Sequence, residues 1–201
     1  MSRNIIAILR GIKPEEVLDI VHVIVDSGIT QVEVPLNSPR AFESIELIRD
    51  EFKGSIQFGA GTVTDVEQVA ILSRIGVDFI VSPNFEYSVV KATKEAGILS
   101  YPGVITPTEC FSALNSGADG LKFFPASLLG EANLIAIKAV LPSNIPIYMV
   151  GGVGPENFSS WFKAGASGFG IGSGIYKAGE SASAVAKKAE SIILSYDESL
   201  L

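Results

Sequence analysis

The chain has 201 residues, 47% apolar and 18% charged, an ordinary composition for one globular domain with a continuous core. Its formal charge of −7 and pI near 4.8 argue against a nucleic-acid surface, so an anionic ligand would need a locally positive site. Apolar stretches are strand-sized and broken by Gly, Pro or charge, no signal-peptide pattern opens the chain, and the single cysteine, Cys110, has no disulfide partner. A cytoplasmic protein without membrane contact is expected.

The first predicted strand, 5–10, is the apolar run Ile5-Ile6-Ala7-Ile8-Leu9 ending in Arg10. Pro14-Glu15-Glu16 then opens a helix. Proline needs no N–H in a first turn, the acids face the positive helix end, and Val17, Leu18, Val21, Ile24 and Val25 form one stripe. Further strands are predicted at 31–36, 56–61, 79–83, 98–103, 120–124, 145–150 and 168–171, making eight. Five intervening helices end on a glycine just before the next strand, at Gly28, Gly76, Gly97, Gly117 and Gly165, while Gly54 and Pro142-Ser143 fill the remaining gaps.

Eight βα units at roughly 25 residues each exhaust the chain. The expected fold is therefore a (β/α)8 TIM barrel, a single catalytic domain over 1–201, with an open doubly wound sheet as the alternative. Only about four residues precede the first strand, so side chains are expected to close the bottom of the barrel.

In such a barrel the site forms where strands run into the following loops. The residues gathered there are Arg10, Glu33 with Asn37, Thr62, Pro83-Asn84, Lys122, Gly151-Gly152 and Gly172-Ser173. In Gly120-Leu121-Lys122-Phe123-Phe124, strand alternation sends Leu121 and Phe123 to the helix layer and Gly120, Lys122 and Phe124 inward. A lysine dried beside Phe124 favours its neutral, nucleophilic form. A strand-end lysine reaching solvent, or one paired with Glu33, satisfies the same position. Glu33, between Val32 and Val34, also points inward and can shuttle protons or simply form a buried ion pair.

Arg10 offers a planar fork to a carboxylate or phosphate, or else a solvated strand end. Val150-Gly151-Gly152-Val153 and Gly170-Ile171-Gly172-Ser173-Gly174 follow the seventh and eighth strands, the recurrent phosphate site of this architecture. Their glycines lack dinucleotide spacing, and no Walker lysine follows them.

Other conspicuous residues read as structural. His22 lies on a polar helix stripe, Phe158, Trp161 and Phe162 have helix-packing spacing, and Cys110 has no histidine beside it in sequence. Carboxylates are not clustered as a divalent metal needs, so no metal is expected.

Taken together, Ala7-Ile8-Leu9-Arg10-Gly11, Val32-Glu33-Val34-Pro35-Leu36-Asn37-Ser38-Pro39, Gly59-Ala60-Gly61-Thr62-Val63, Leu121-Lys122-Phe123-Phe124-Pro125 and Val150-Gly151-Gly152-Val153 resemble the class I aldolases of 2-keto-3-deoxy-6-phosphosugar acids. The similarity runs from Ile6 to the last helix. Where the gluconate branch carries arginine this chain has Asn37, and with Arg10 ending strand one it is similar to the branch acting on 2-dehydro-3-deoxy-6-phosphogalactonate in galactonate breakdown.

The resemblance implies that Lys122 forms the imine and Glu33 shuttles protons. Arg10 and Thr62 would bind the acid end, Asn37, Pro83 and Phe124 would complete the substrate site, and Gly151, Gly152, Gly172 and Ser173 would hold phosphate. It further implies release of pyruvate and glyceraldehyde 3-phosphate, no cofactor, and a homotrimer. Activity on the gluconate epimer or 4-hydroxy-2-oxoglutarate, and a phosphate-binding isomerase or synthase without an imine, are the alternatives.

Overall fold

The computed structural model describes residues 3–201. Nine strand segments form one wholly parallel sheet: β1 (Ile5–Ile8), β2 (Gln31–Pro35), β3 (Gln57–Gly61), β4 (Phe79–Val81), β5 (Leu99–Tyr101), β6 (Gly103–Val104), β7 (Leu121–Phe123), β8 (Ile147–Val150) and β9 (Gly168–Ile171). The helices are α1 (Pro14–Asp26), α2 (Ala41–Phe52), α3 (Val66–Ile75), α4 (Tyr87–Glu95), α5 (Pro107–Asn115), α6 (Ala126–Leu129), α7 (Glu131–Lys138), α8 (Phe158–Ala164) and α9 (Ala182–Glu198).

All eight predicted strands are present, but the fifth is divided by Pro102, which has no N–H to give a ladder. Its carbonyl nevertheless accepts from the Lys122 N–H at 3.0 Å, and the Tyr101 carbonyl accepts from the Ser82 N–H at 3.2 Å. β5 pairs with β4 and β6 with β7, so the two segments form one stave joined through Pro102. With β1 hydrogen-bonded to β9, the ring closes as a (β/α)8 barrel and the open sheet is excluded.

Strand alternation divides the apolar residues into two layers. The larger lies between strands and helices and includes Leu121, Phe123, Phe158 and Phe169, with the Phe158 and Phe169 rings stacked 4.4 Å apart. The smaller lies within the ring: Ile6, Phe79, Val81 and Tyr148, with Leu99 and Tyr101 packed on them. Tyr101 sits between Phe79 and Tyr148, at centroid distances of 6.0 and 5.3 Å. Its ring uses the space left by Gly120, where a Cβ would stand 3.1 Å from it. At the start of β2 and β3, Gln31 Nε2 donates to Gln57 Oε1 at 2.9 Å. These side chains fill the end of the ring where the strands begin.

The expected helix punctuation is also present. Gly28, Gly76, Gly97, Gly117 and Gly165 all have positive φ. The helix after the sixth stave departs from the simple repeat, because Gly130, at φ 73°, splits it into α6 and α7.

Candidate active site

Lys122 occupies the centre of β7, beside Gly103 of β6 and Tyr148 of β8. Its neighbours Leu121 and Phe123 are fully buried in the helix layer, and alternation turns Lys122 into the ring, where it is 5% exposed. Burial pushes its pKa below that of an ordinary lysine; the Glu33 carboxylate opposes this shift and Arg10 reinforces it. A free amine is thereby accessible nearer neutral pH.

Glu33 lies in β2 between Ile8 of β1 and Gly59 of β3, and is 2% exposed. Burial raises its carboxyl to about 7, against the pull of Lys122 and Arg10. Its Oε2 atom has no hydrogen-bond partner among the described residues. Such an acid is poised between its two protonation states near neutrality, with one oxygen free to exchange a proton. Gly61 is required for this placement, because any Cβ there would collide with the carboxylate. Glu33 and Lys122 line one small cavity whose walls include Ile8, Tyr101, Tyr148 and Val150.

A wider cavity of about 340 Å³ opens above it, bounded by Arg10, Phe124, Gly151, Gly152, Gly172 and Ser173. Ile8, Val150 and Gly170 line both cavities, so they meet. The glycine loops expose backbone where an anion can approach closely, with Gly151 and Gly152 at φ 89° and 77°. Arg10 supplies a guanidinium to the wall of this mouth.

Asn37 and Thr62 stand behind Arg10. Its Nη1 donates to Asn37 Oδ1 at 2.7 Å and to Thr62 Oγ1 at 3.5 Å, so loops after three consecutive staves aim one guanidinium. Thr62 adopts φ 57°, a left-handed conformation unfavourable for a β-branched residue. Phe124 stands beside Lys122, as strand alternation leads one to expect, but at the mouth of the ring. It is 37% exposed at the rim, with its ring centroid 4.8 Å from Lys122 Nζ and against Gly151. β7 itself ends at Phe123. Pro83 lines neither cavity; its carbonyl packs where a Cβ on Gly103 would stand.

Tyr101, Tyr148 and Glu156 were not singled out in the sequence, although the first two line the inner cavity and Glu156 the mouth. Outward Ile147 and Met149 already imply an inward Tyr148. Glu156 lies in the irregular loop after β8, where no periodicity applies. His22 is exposed but not isolated: Nε2 is 3.1 Å from Glu51 Oε1, and its ring packs on Phe52. Burial pushes the Cys110 thiol up to about 11, in keeping with an unreactive cysteine. Among the described residues no three His, Cys, Asp or Glu side chains are grouped to hold a metal ion.

A family model described as KDPG and KHG aldolase matches residues 1–189. The 2-dehydro-3-deoxy-6-phosphogalactonate aldolase of Escherichia coli (strain K12) is 44% identical over 196 residues, covering 98% of this chain and 96% of that protein. A native KDPGal structure superposes with a TM-score of 0.97 at 44% identity, covering 100% of this chain and 97% of the other. The structure of a Legionella pneumophila KDPG aldolase, with pyruvate captured at low pH as a covalent carbinolamine intermediate, matches with a TM-score of 0.85 at 25% identity, over 95% and 94% of the two chains.

Proposed function

The chain belongs to the KDPG and KHG aldolase family, and we propose that it cleaves 2-dehydro-3-deoxy-6-phosphogalactonate to pyruvate and D-glyceraldehyde 3-phosphate through an imine on Lys122. The observation that carries the proposal is a buried lysine of lowered pKa sharing a cavity with a buried glutamate of raised pKa, beneath a glycine-lined mouth. Similarity to the galactonate-series aldolase, at 44% identity over nearly the whole chain, supports the choice of substrate.

Neutral Lys122 attacks the C2 ketone to give a carbinolamine, which loses water and leaves a protonated imine. Glu33, directly or through water, takes the C4 hydroxyl proton. The C3–C4 electron pair flows into the imine, the new carbonyl leaves as glyceraldehyde 3-phosphate, and an enamine remains. Glu33 returns its proton to C3, and water hydrolyses the imine to pyruvate and free Lys122. Every step uses groups of the chain, the substrate or water.

Arg10, aimed by Asn37 and Thr62, binds the acid end; Gly151, Gly152, Gly172 and Ser173 receive the phosphate. Phe124 covers the amine at the rim. Pro83 is offered only as a backing residue, through its contact with Gly103. A homotrimer in the cytoplasm belongs to the same reading, with apolar Leu128 of α6, Ile135 of α7 and Val140 just after it exposed to support association.

Borohydride reduction in the presence of pyruvate should inactivate the protein and leave the adduct on a peptide containing Lys122. Parallel assays with the two C4 epimers should favour the galactonate-derived phosphate. Absence of an adduct would favour an isomerase or synthase instead, and faster turnover of the gluconate epimer would overturn the substrate assignment.

A further inference from the structure

The loops assigned to the two ends of the substrate come from opposite ends of the sequence, yet they leave the sheet side by side. β1, which leads into Arg10, pairs with β9, which leads into Gly172 and Ser173. The second loop is fixed by a turn in which the N–H groups of Ile175 and Tyr176 both donate to the Gly172 carbonyl at 3.0 Å. That turn drives the Tyr176 ring into the main core, leaving it 2% exposed.

The Tyr176 hydroxyl then donates to Glu16 Oε1 at 3.0 Å. The same oxygen accepts the Lys13 N–H at 3.2 Å, closing the start of α1 just after the Arg10 loop. One carboxylate oxygen thus joins both loops. Gly11 and Ala178 approach beside it, since a Cβ on Gly11 would lie 3.1 Å from the Ala178 Cβ. Burial, aided by Glu16, pushes the phenol up to about 12, so it remains a donor at neutral pH.

We infer that Tyr176 is a positioning residue for substrate length: its bond to Glu16 sets the separation of the phosphate loop from the Arg10 loop, and so the preference for 2-keto acids phosphorylated at their far end. The inference rests on the assignment of those loops to the two ends of the substrate. A ligand held at two points gains its extra affinity only when the points stand at its own span, whereas each fragment alone is indifferent to that spacing. Tyr176 lines neither cavity and acts through the loops that do.

Tyr176→Phe keeps the ring in the core and removes the hydroxyl. The KM for the phosphorylated substrate should rise about tenfold while kcat changes less than about twofold. Inhibition by inorganic phosphate and by pyruvate, each a probe of one end, should remain within about twofold of wild type. An unchanged KM would overturn the inference. So would phosphate inhibition weakened in step with KM, which would make Tyr176 a support of the phosphate loop alone. Borohydride trapping of pyruvate on the wild-type protein reads the aldolase assignment separately: failure there removes the reaction, whereas normal trapping with an unchanged Tyr176→Phe KM removes only the loop-spacing role.

Discussion

The barrel contains two cores of unlike character. The layer between strands and helices is built from large apolar side chains such as Phe123, Phe158 and Phe169, all fully buried. Inside the ring, buried side chains such as Ile6, Ile8, Phe79, Val81, Tyr148 and Val150 share the space with glycines, a lysine and a glutamate. Dispersion and dehydration stabilise the first arrangement, whereas the second holds two ionisable groups away from water at a cost. The outer layer can carry the stability of the fold, leaving the inner space to be shaped for chemistry.

Paired substitutions break this contrast most sharply. Lys122→Met should reduce aldol cleavage by at least about 10⁴-fold, while its thermal midpoint at neutral pH equals or exceeds that of wild type. The sign follows from the lowered pKa: the folded protein binds this proton less tightly than the unfolded chain does, which costs stability at any pH below the unfolded value. Methionine has no such proton to lose. A variant that melts well below wild type would show the inner lysine to be structural.

Phe169→Ala is the converse. It opens a cavity against Phe158 and Phe162 and should destabilise the fold by about 3–5 kcal/mol in denaturant unfolding, leaving kcat per folded molecule near wild type. Equal losses of stability and kcat would blur the division.

Glu33→Gln tests it through pH. Wild-type kcat/KM should climb through about pH 7 as Glu33 becomes a carboxylate, and the variant should be slow and lack that limb. For stability, the folded carboxyl keeps a proton that the unfolded chain releases above its ordinary value of 4.5, so wild type loses stability between there and about 7. The variant's stability relative to wild type should therefore increase from pH 4 to pH 8, by up to about 3 kcal/mol. A difference independent of pH would contradict the raised carboxyl.

Most of this division could be read from alternation alone. Valines on either side of Glu33, and Leu121 and Phe123 around Lys122, can be buried under helices only if the charged residues face inward. What escaped the reading lies where periodicity stops. Glu156 lies in a loop, and the split at Pro102 leaves the apolar run unchanged while removing a donor from the ladder. The Glu16–Tyr176 bond spans 160 positions in sequence and has no local signature. Aiming of Arg10 by Asn37 and Thr62 likewise exists only after the ring has closed.

Tyr101 and Tyr148 line the inner cavity that holds Lys122 and Glu33, and Ile8, Val150 and Gly170 join it to the mouth bounded by Arg10 and the glycine loops. On the proposed imine mechanism, the phosphate-bearing fragment would occupy that mouth while the pyruvyl group stays bound to Lys122 beneath it. Departure would then be sequential, with the aldehyde leaving through the mouth before water reaches the bound remnant and frees the second product.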